Sequence, residues 1–91
     1  MIIKDSDRFI NELIEITTFI AIDSLDRAMS FEDDLKERME ILISNPYAFR
    51  KSTKFNDECI RDFIFKGYTI PYLIDGEIIL VLGIYKANDW N

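Results

Sequence analysis

Three short clusters in this 91-residue chain hold the side chains that could do chemistry. The first is Arg50-Lys51-Ser52-Thr53-Lys54, where three cations fall within five residues. Such a loop suits a phosphate or an acidic partner surface, or it is simply solvated. The second is Arg61 beside Asp62, at the start of an apolar run. A cation there serves either as a structural ion pair and packing stem, or as a charge that stabilises an anionic intermediate. The third is the closing segment Tyr85-Lys86-Ala87-Asn88-Asp89-Trp90-Asn91. Its Trp90, one residue from the end, either caps the core edge or anchors a partner.

The missing residue types exclude more than the present ones allow. The chain has no His and a single Cys, Cys59, so Ser-His and Cys-His dyads and zinc or haem sites are not expected. There is no glycine-rich phosphate loop, since only three Gly occur, at turns or in a strand pattern. The acidic run Glu32-Asp33-Asp34 lies mid-helix, where its side chains diverge, and reads as a solvated face. No cofactor is expected.

Composition sets the scale. The length fits one small domain over residues 1–91, and a chain of this size buries only roughly 60% of its unfolded surface. Against that, 48% of the residues are apolar, with seven Phe, four Tyr and one Trp. Either the core is simply well filled or apolar surface is left over for a partner. No apolar run reaches the roughly 20 residues that span a bilayer, and Met1 to Asp5 lacks the basic and apolar regions of a signal peptide. A lone cysteine suits the reducing cytoplasm, where the protein is expected to reside. The net charge of −6 is uneven: residues 1–45 carry five basic and eleven acidic side chains, and residues 46–91 carry six of each. That balance argues against non-specific nucleic-acid binding.

The elements that must position these residues follow from periodicity. Met1-Ile2-Ile3 reads as a short strand. From Asp5, Phe9, Ile10, Leu13, Ile14, Thr17, Ile20 and Ala21 recur at helical spacing, capped by Ser6 or Asp5. Ser24 caps a second helix with Ala28, Phe31, Leu35, Met39 and Leu42 on one face, stopped by Asn45-Pro46. Glu32 with Lys36 and Asp34 with Arg38 are spaced to pair along it. The short connection makes an antiparallel helical hairpin. A polar loop over 46–58 leads into strands at Ile60 to Phe65, Tyr68 to Ile74 and Glu77 to Tyr85. Lys66-Gly67 supplies the first turn, and Asp75-Gly76 is read as the central pair of a type I′ hairpin. Pro71 conflicts with a central strand and predicts a bulge or a broken ladder beside it. The fold class is α+β: a short N-terminal strand and a helical hairpin packed on an antiparallel sheet, in the order β-α-α-β-β-β.

At Ile60-Arg61, Gly67-Tyr68-Thr69-Ile70, Tyr72 and Ile79-Leu80-Val81-Leu82-Gly83-Ile84, in that order and spacing, the chain resembles toxins of the RelE/ParE superfamily of bacterial type II toxin–antitoxin modules. The resemblance implies a co-encoded antitoxin that wraps the toxin in a hetero-oligomer. The superfamily holds two activities. RelE-like members cleave mRNA on the ribosome with basic side chains, and ParE-like members poison DNA gyrase. Thr69 stands where RelE-like nucleases carry a basic residue, and Arg61 is the only cation on its strand. The ending through Tyr85, Lys86, Asp89 and Trp90 is more similar to the ParE ending, although Lys86 and Ala87 replace its His-Gly.

The resemblance therefore implies a ParE-like, non-enzymatic gyrase inhibitor, with Arg50, Lys51, Lys54, Lys86 and Trp90 as partner contacts. The alternative is a ribosome-dependent mRNA endonuclease in which Arg61 and Lys86 stabilise the phosphate and Tyr85 assists proton transfer. A third possibility is an inactive member that retains only antitoxin binding.

Overall fold

A computed structural model describes residues 1–86 and is α+β. Strand β1 (Ile2–Asp5) leads into helix α1 (Asp7–Asp23), helix α2 (Leu25–Met39) and a single turn α3 (Ile41–Ser44). Strands β2 (Ile60–Phe65), β3 (Tyr68–Asp75), β4 (Ile78–Val81) and β5 (Tyr85–Lys86) follow. No helix among the described residues is long and apolar enough to cross a membrane.

The two long helices start where short hydroxyl side chains can cap them. Ser6 accepts from the Phe9 N–H at 3.0 Å. Ser24 accepts from the Arg27 N–H at 3.2 Å, while its own N–H closes α1 on the Ile20 carbonyl at 2.9 Å. One residue thus ends one helix and begins the next, which fixes the hairpin. Ser24→Ala is expected to cost about 1 kcal/mol, a fall of roughly 4–8 °C in Tm by calorimetry. Of the two ion pairs expected along α2, Lys36 with Glu32 forms at 3.2 Å. Asp34 instead reaches Lys66 at 3.3 Å, because the β2–β3 turn lies within its range.

The sheet order is β1-β4-β3-β2, with β5 also paired to β3. It is mixed rather than antiparallel. The β2–β3, β3–β4 and β3–β5 pairs are antiparallel, but β1 pairs parallel to β4, Ile3 opposite Ile79. The cause is the number of chain reversals. The helical hairpin and the 50–52 segment, which runs antiparallel to β2, bring the chain back so that β2 runs in the direction of β1, and two further hairpins return β4 to that direction.

The turns differ in kind. Phe65 pairs with Tyr68, so Lys66 (φ 47°) and Gly67 (φ 84°) form a two-residue turn with both φ positive, the type I′ pattern. Asp75 pairs with Ile78, which makes Gly76-Glu77, not Asp75-Gly76, the central pair of the second turn. Only Gly76 has positive φ there (58°), which is the type II′ pattern.

The third predicted strand is split by its neighbour. Pro71 sits in β3 between two strands and has no N–H to offer. The register shifts by one residue between the Tyr72–Val81 pair and the Thr69–Tyr85 pair, so Leu82-Gly83-Ile84 bulges opposite Ile70 and Pro71. The freed backbone groups find other partners. The Leu82 N–H donates to the Pro71 carbonyl at 2.8 Å, the Ser6 hydroxyl donates to the Leu82 carbonyl at 3.1 Å, and the Ile84 N–H donates to Glu12 Oε1 at 3.1 Å. The broken ladder expected at Pro71 is therefore present, and α1 repairs it.

The core lies between the helices and one face of the sheet. Phe9, Leu13, Leu35 and Leu42 pack on Phe63, Ile70, Tyr72, Ile79 and Val81. Phe31 sets its edge against Phe65 at 5.3 Å and Tyr68 at 5.6 Å.

Candidate partner-binding site

The cationic loop is built onto the free edge of β2. The Asp62 N–H donates to the Arg50 carbonyl at 3.0 Å and the Ser52 N–H to the Ile60 carbonyl at 2.9 Å, with Lys51 bridged to Arg61. Residues 50–52 therefore lie beside β2 as a short outer strand. The edge of the sheet is covered, and the loop that follows is brought over the face opposite the helices.

Strand alternation decides what the neighbours Arg61 and Asp62 do. Their side chains leave β2 on opposite faces, so they do not pair with each other. Arg61 ties down the loop: its Nε donates to the Glu58 carbonyl at 3.0 Å, its Nη1 to the Phe49 carbonyl at 3.1 Å, and its guanidinium stacks 5.2 Å from the Tyr47 ring. Asp62 points to the outer face and its carboxylate is fully buried. Its Oδ2 lies 3.4 Å from Arg50 Nη2 and accepts the Thr53 N–H at 3.2 Å.

Tyr85, placed opposite Thr69 by β5, meets this cluster from the other side of β3. Burial pushes its phenol pKa up, and the Asp62 charge adds to the rise. Hydrogen bonds with the Thr53 and Thr69 side chains and the Arg50 charge work against it. The phenol stays protonated at neutral pH and is no general base there. Lys54 holds its ammonium 5.4 Å above the Tyr85 ring.

The remaining cations are placed separately. Lys51 pairs with Glu58 at 2.9 Å, and this contact lowers the Glu58 pKa through its hydrogen bond and then its charge, with a smaller lowering by Arg61. Lys86 follows Tyr85 and so leaves the sheet on the other face, 5.4 Å from the Tyr68 ring. It borders a groove of about 340 Å³ whose walls include Glu12, Phe19 and Tyr68. Trp90 lies outside the described residues.

The structure thus brings Arg50, Lys54 and Tyr85 together around Asp62. It does not bring Arg61, Tyr85 and Lys86 together: Arg61 holds loop carbonyls, and Tyr85 and Lys86 occupy opposite faces. Asp62, Thr53 and Thr69 were not expected in the cluster. The alternating pattern of β2 places Asp62 off the core face, but no pattern in the sequence brings a loop nine residues upstream over it.

The chain matches known proteins at two levels, fold and sequence. A solved structure described as the chromosomal ParDE TA system from P. aeruginosa superposes with a TM-score of 0.76, covering 94% of this chain and 95% of that one at 20% identity. At that identity the likeness shows the fold. No curated protein sequence matches the chain. The sequence model described as "ParE toxin of type II toxin-antitoxin system, parDE" matches residues 3–89, nearly the whole length. The chain belongs to the ParE toxin family of type II toxin–antitoxin systems.

Proposed function

We propose that this ParE-family protein arrests growth by inhibiting DNA gyrase in the cytoplasm as a protein ligand, and that a co-encoded antitoxin neutralises it in a hetero-oligomer. The family match over residues 3–89 carries this reading. The dispersal of the nuclease candidates supports it. RNA cleavage needs a proton-transfer group and cations converging on one phosphate, whereas Arg61 is engaged with the Glu58 and Phe49 carbonyls and Tyr85 is buried and protonated. The cations of residues 50–54, with Lys86 and Trp90, are the proposed contacts with gyrase or antitoxin.

A supercoiling assay tests the proposal. The purified protein is expected to inhibit gyrase at micromolar concentration. The combined variant Lys51→Ala, Lys54→Ala, which leaves Arg50 on the buried Asp62 carboxylate, is expected to need about tenfold more protein, the loss of roughly 1.4 kcal/mol of contact energy. Undisturbed supercoiling at micromolar excess removes gyrase as the target. Messenger RNA cut within codons during growth arrest would transfer the activity to the nuclease reading.

A further inference from the structure

The strand that carries Tyr85 and Lys86 is only two residues long, paired to β3 as Thr69 with Tyr85 and Tyr68 with Lys86. So short a ladder is a weak guide to register, and the bulge over 82–84 separates β5 from β4. Ile84 stands in neither ladder, and its buried N–H still needs an acceptor. Glu12 of α1 supplies it: Oε1 accepts that N–H at 3.1 Å from a residue 72 positions away.

A carboxylate is unusual at this place on the helix. Glu12 falls three residues after Phe9 and four before Ile16, beside Leu13, and all three of these apolar residues pack in or against the core. Its side chain is 22% exposed, where an apolar one would need no partner. The two oxygens divide their work. Oε2 takes Arg8 at 3.3 Å on the solvent side, and Oε1 turns to the Ile84 backbone. Ile84 is the residue before β5, so its anchoring decides the face on which each of the next two side chains emerges. Held there, Tyr85 faces the Asp62 cluster and Lys86 borders the groove with Glu12 and Glu15. A slip of one residue would exchange them.

We infer that Glu12 is a positioning residue: through the Ile84 amide it holds β5 in register and thereby presents Lys86 for contact with the target. The hold on β5 is a property of the fold. Its consequence for inhibition rests on the gyrase reading.

Amide hydrogen exchange and supercoiling assays on the full-length protein test this with Glu12→Met, Glu12→Gln and Lys86→Ala. Methionine fills similar space without an oxygen acceptor, and glutamine keeps one. In Glu12→Met the Ile84 amide is expected to exchange about tenfold faster, while the Ile74 amide, bonded to the Cys59 carbonyl, keeps its protection. The same variant is expected to need about tenfold more protein to inhibit gyrase, and Glu12→Gln only about twofold more. Lys86→Ala is expected to lose about tenfold as well, and the double variant with Glu12→Met no more than either alone, because one residue acts through the other. Unchanged Ile84 exchange, or faster exchange at Ile84 and Ile74 alike, overturns the inference. Faster exchange at Ile84 with full inhibition overturns its consequence for the target. Losses that multiply to about 100-fold overturn it too, since Glu12 then acts apart from Lys86. An equal loss in Glu12→Gln assigns the effect to the charge of Glu12 and not to its hydrogen bond. A parent that leaves supercoiling undisturbed sinks the gyrase reading and the Lys86 contact with it, and Ile84 exchange still decides whether Glu12 holds β5.

Discussion

Tyr72→Ala is expected to destabilise the protein by about 4 kcal/mol, which removes much of the margin of a small domain. Among the described residues Tyr72 is the largest fully buried side chain, in the middle of β3, and its hydroxyl donates to the Pro46 carbonyl at 2.6 Å. That bond fastens the end of the helical layer to the sheet where the 46–58 loop begins. Truncation therefore leaves a cavity and an unpaired carbonyl together. Tyr72→Phe keeps the ring and loses only the bond, at a cost of about 1 kcal/mol.

The same residue sets an alkaline limit. Burial raises the Tyr72 phenol from 10.0 to about 12, with Asp62 adding to the rise and Arg61 opposing it. The folded state holds this proton more tightly than the unfolded state. The stability it confers is complete below pH 10 and is lost as pH rises from about 10 to about 12, by roughly 2–3 kcal/mol in all. Urea titrations at pH 9 and pH 12 should show this loss in the parent and a smaller one in Tyr72→Phe. Equal losses in both would assign the alkaline transition to other groups.

The second large effect is expected at Asp62. Asp62→Ala removes the acceptor of the Thr53 N–H and the partner of Arg50, at the end of the loop that covers the β2 edge. Breaking a buried pair costs about 3 kcal/mol, at the low end because Arg50 is half exposed and regains water. In a domain this small that is roughly 12–24 °C in Tm. Asp62→Asn retains an acceptor for Thr53 and should lose about half as much. Hydrogen exchange at the Thr53 amide separates a local role from a global one: at temperatures where Asp62→Ala is still folded, that amide should exchange faster while the β3 amides stay protected. Unchanged Thr53 protection would mean that the loop is held by Arg61 and the backbone bridge alone.

The elements themselves were legible because local rules decide them. Apolar residues at helical spacing after Ser6 and Ser24 give α1 and α2, and Lys66-Gly67 gives a turn whose two positive φ values suit a two-residue hairpin. Pro71 announced the break that divides the last strand, since a missing N–H is a property of the residue and not of its surroundings. Order and spacing were enough to point to the family.

Tertiary structure decided what no local pattern encodes. Whether β1 pairs parallel or antiparallel depends on the number of reversals over more than seventy residues. The partner of Asp62 is not the adjacent Arg61, because strand alternation separates them, but a loop that folds back across the sheet. The cations of residues 50–54 form a cluster in the sequence, yet the fold divides them: Arg50 to a buried carboxylate, Lys51 to Glu58, Lys54 to the ring of Tyr85. By itself the sequence determined which residues could carry charge, turn the chain or face a core, through covalent geometry and solvation. Which of those groups meet was settled only by packing, because long-range contacts depend on how whole elements stack rather than on the residues beside them.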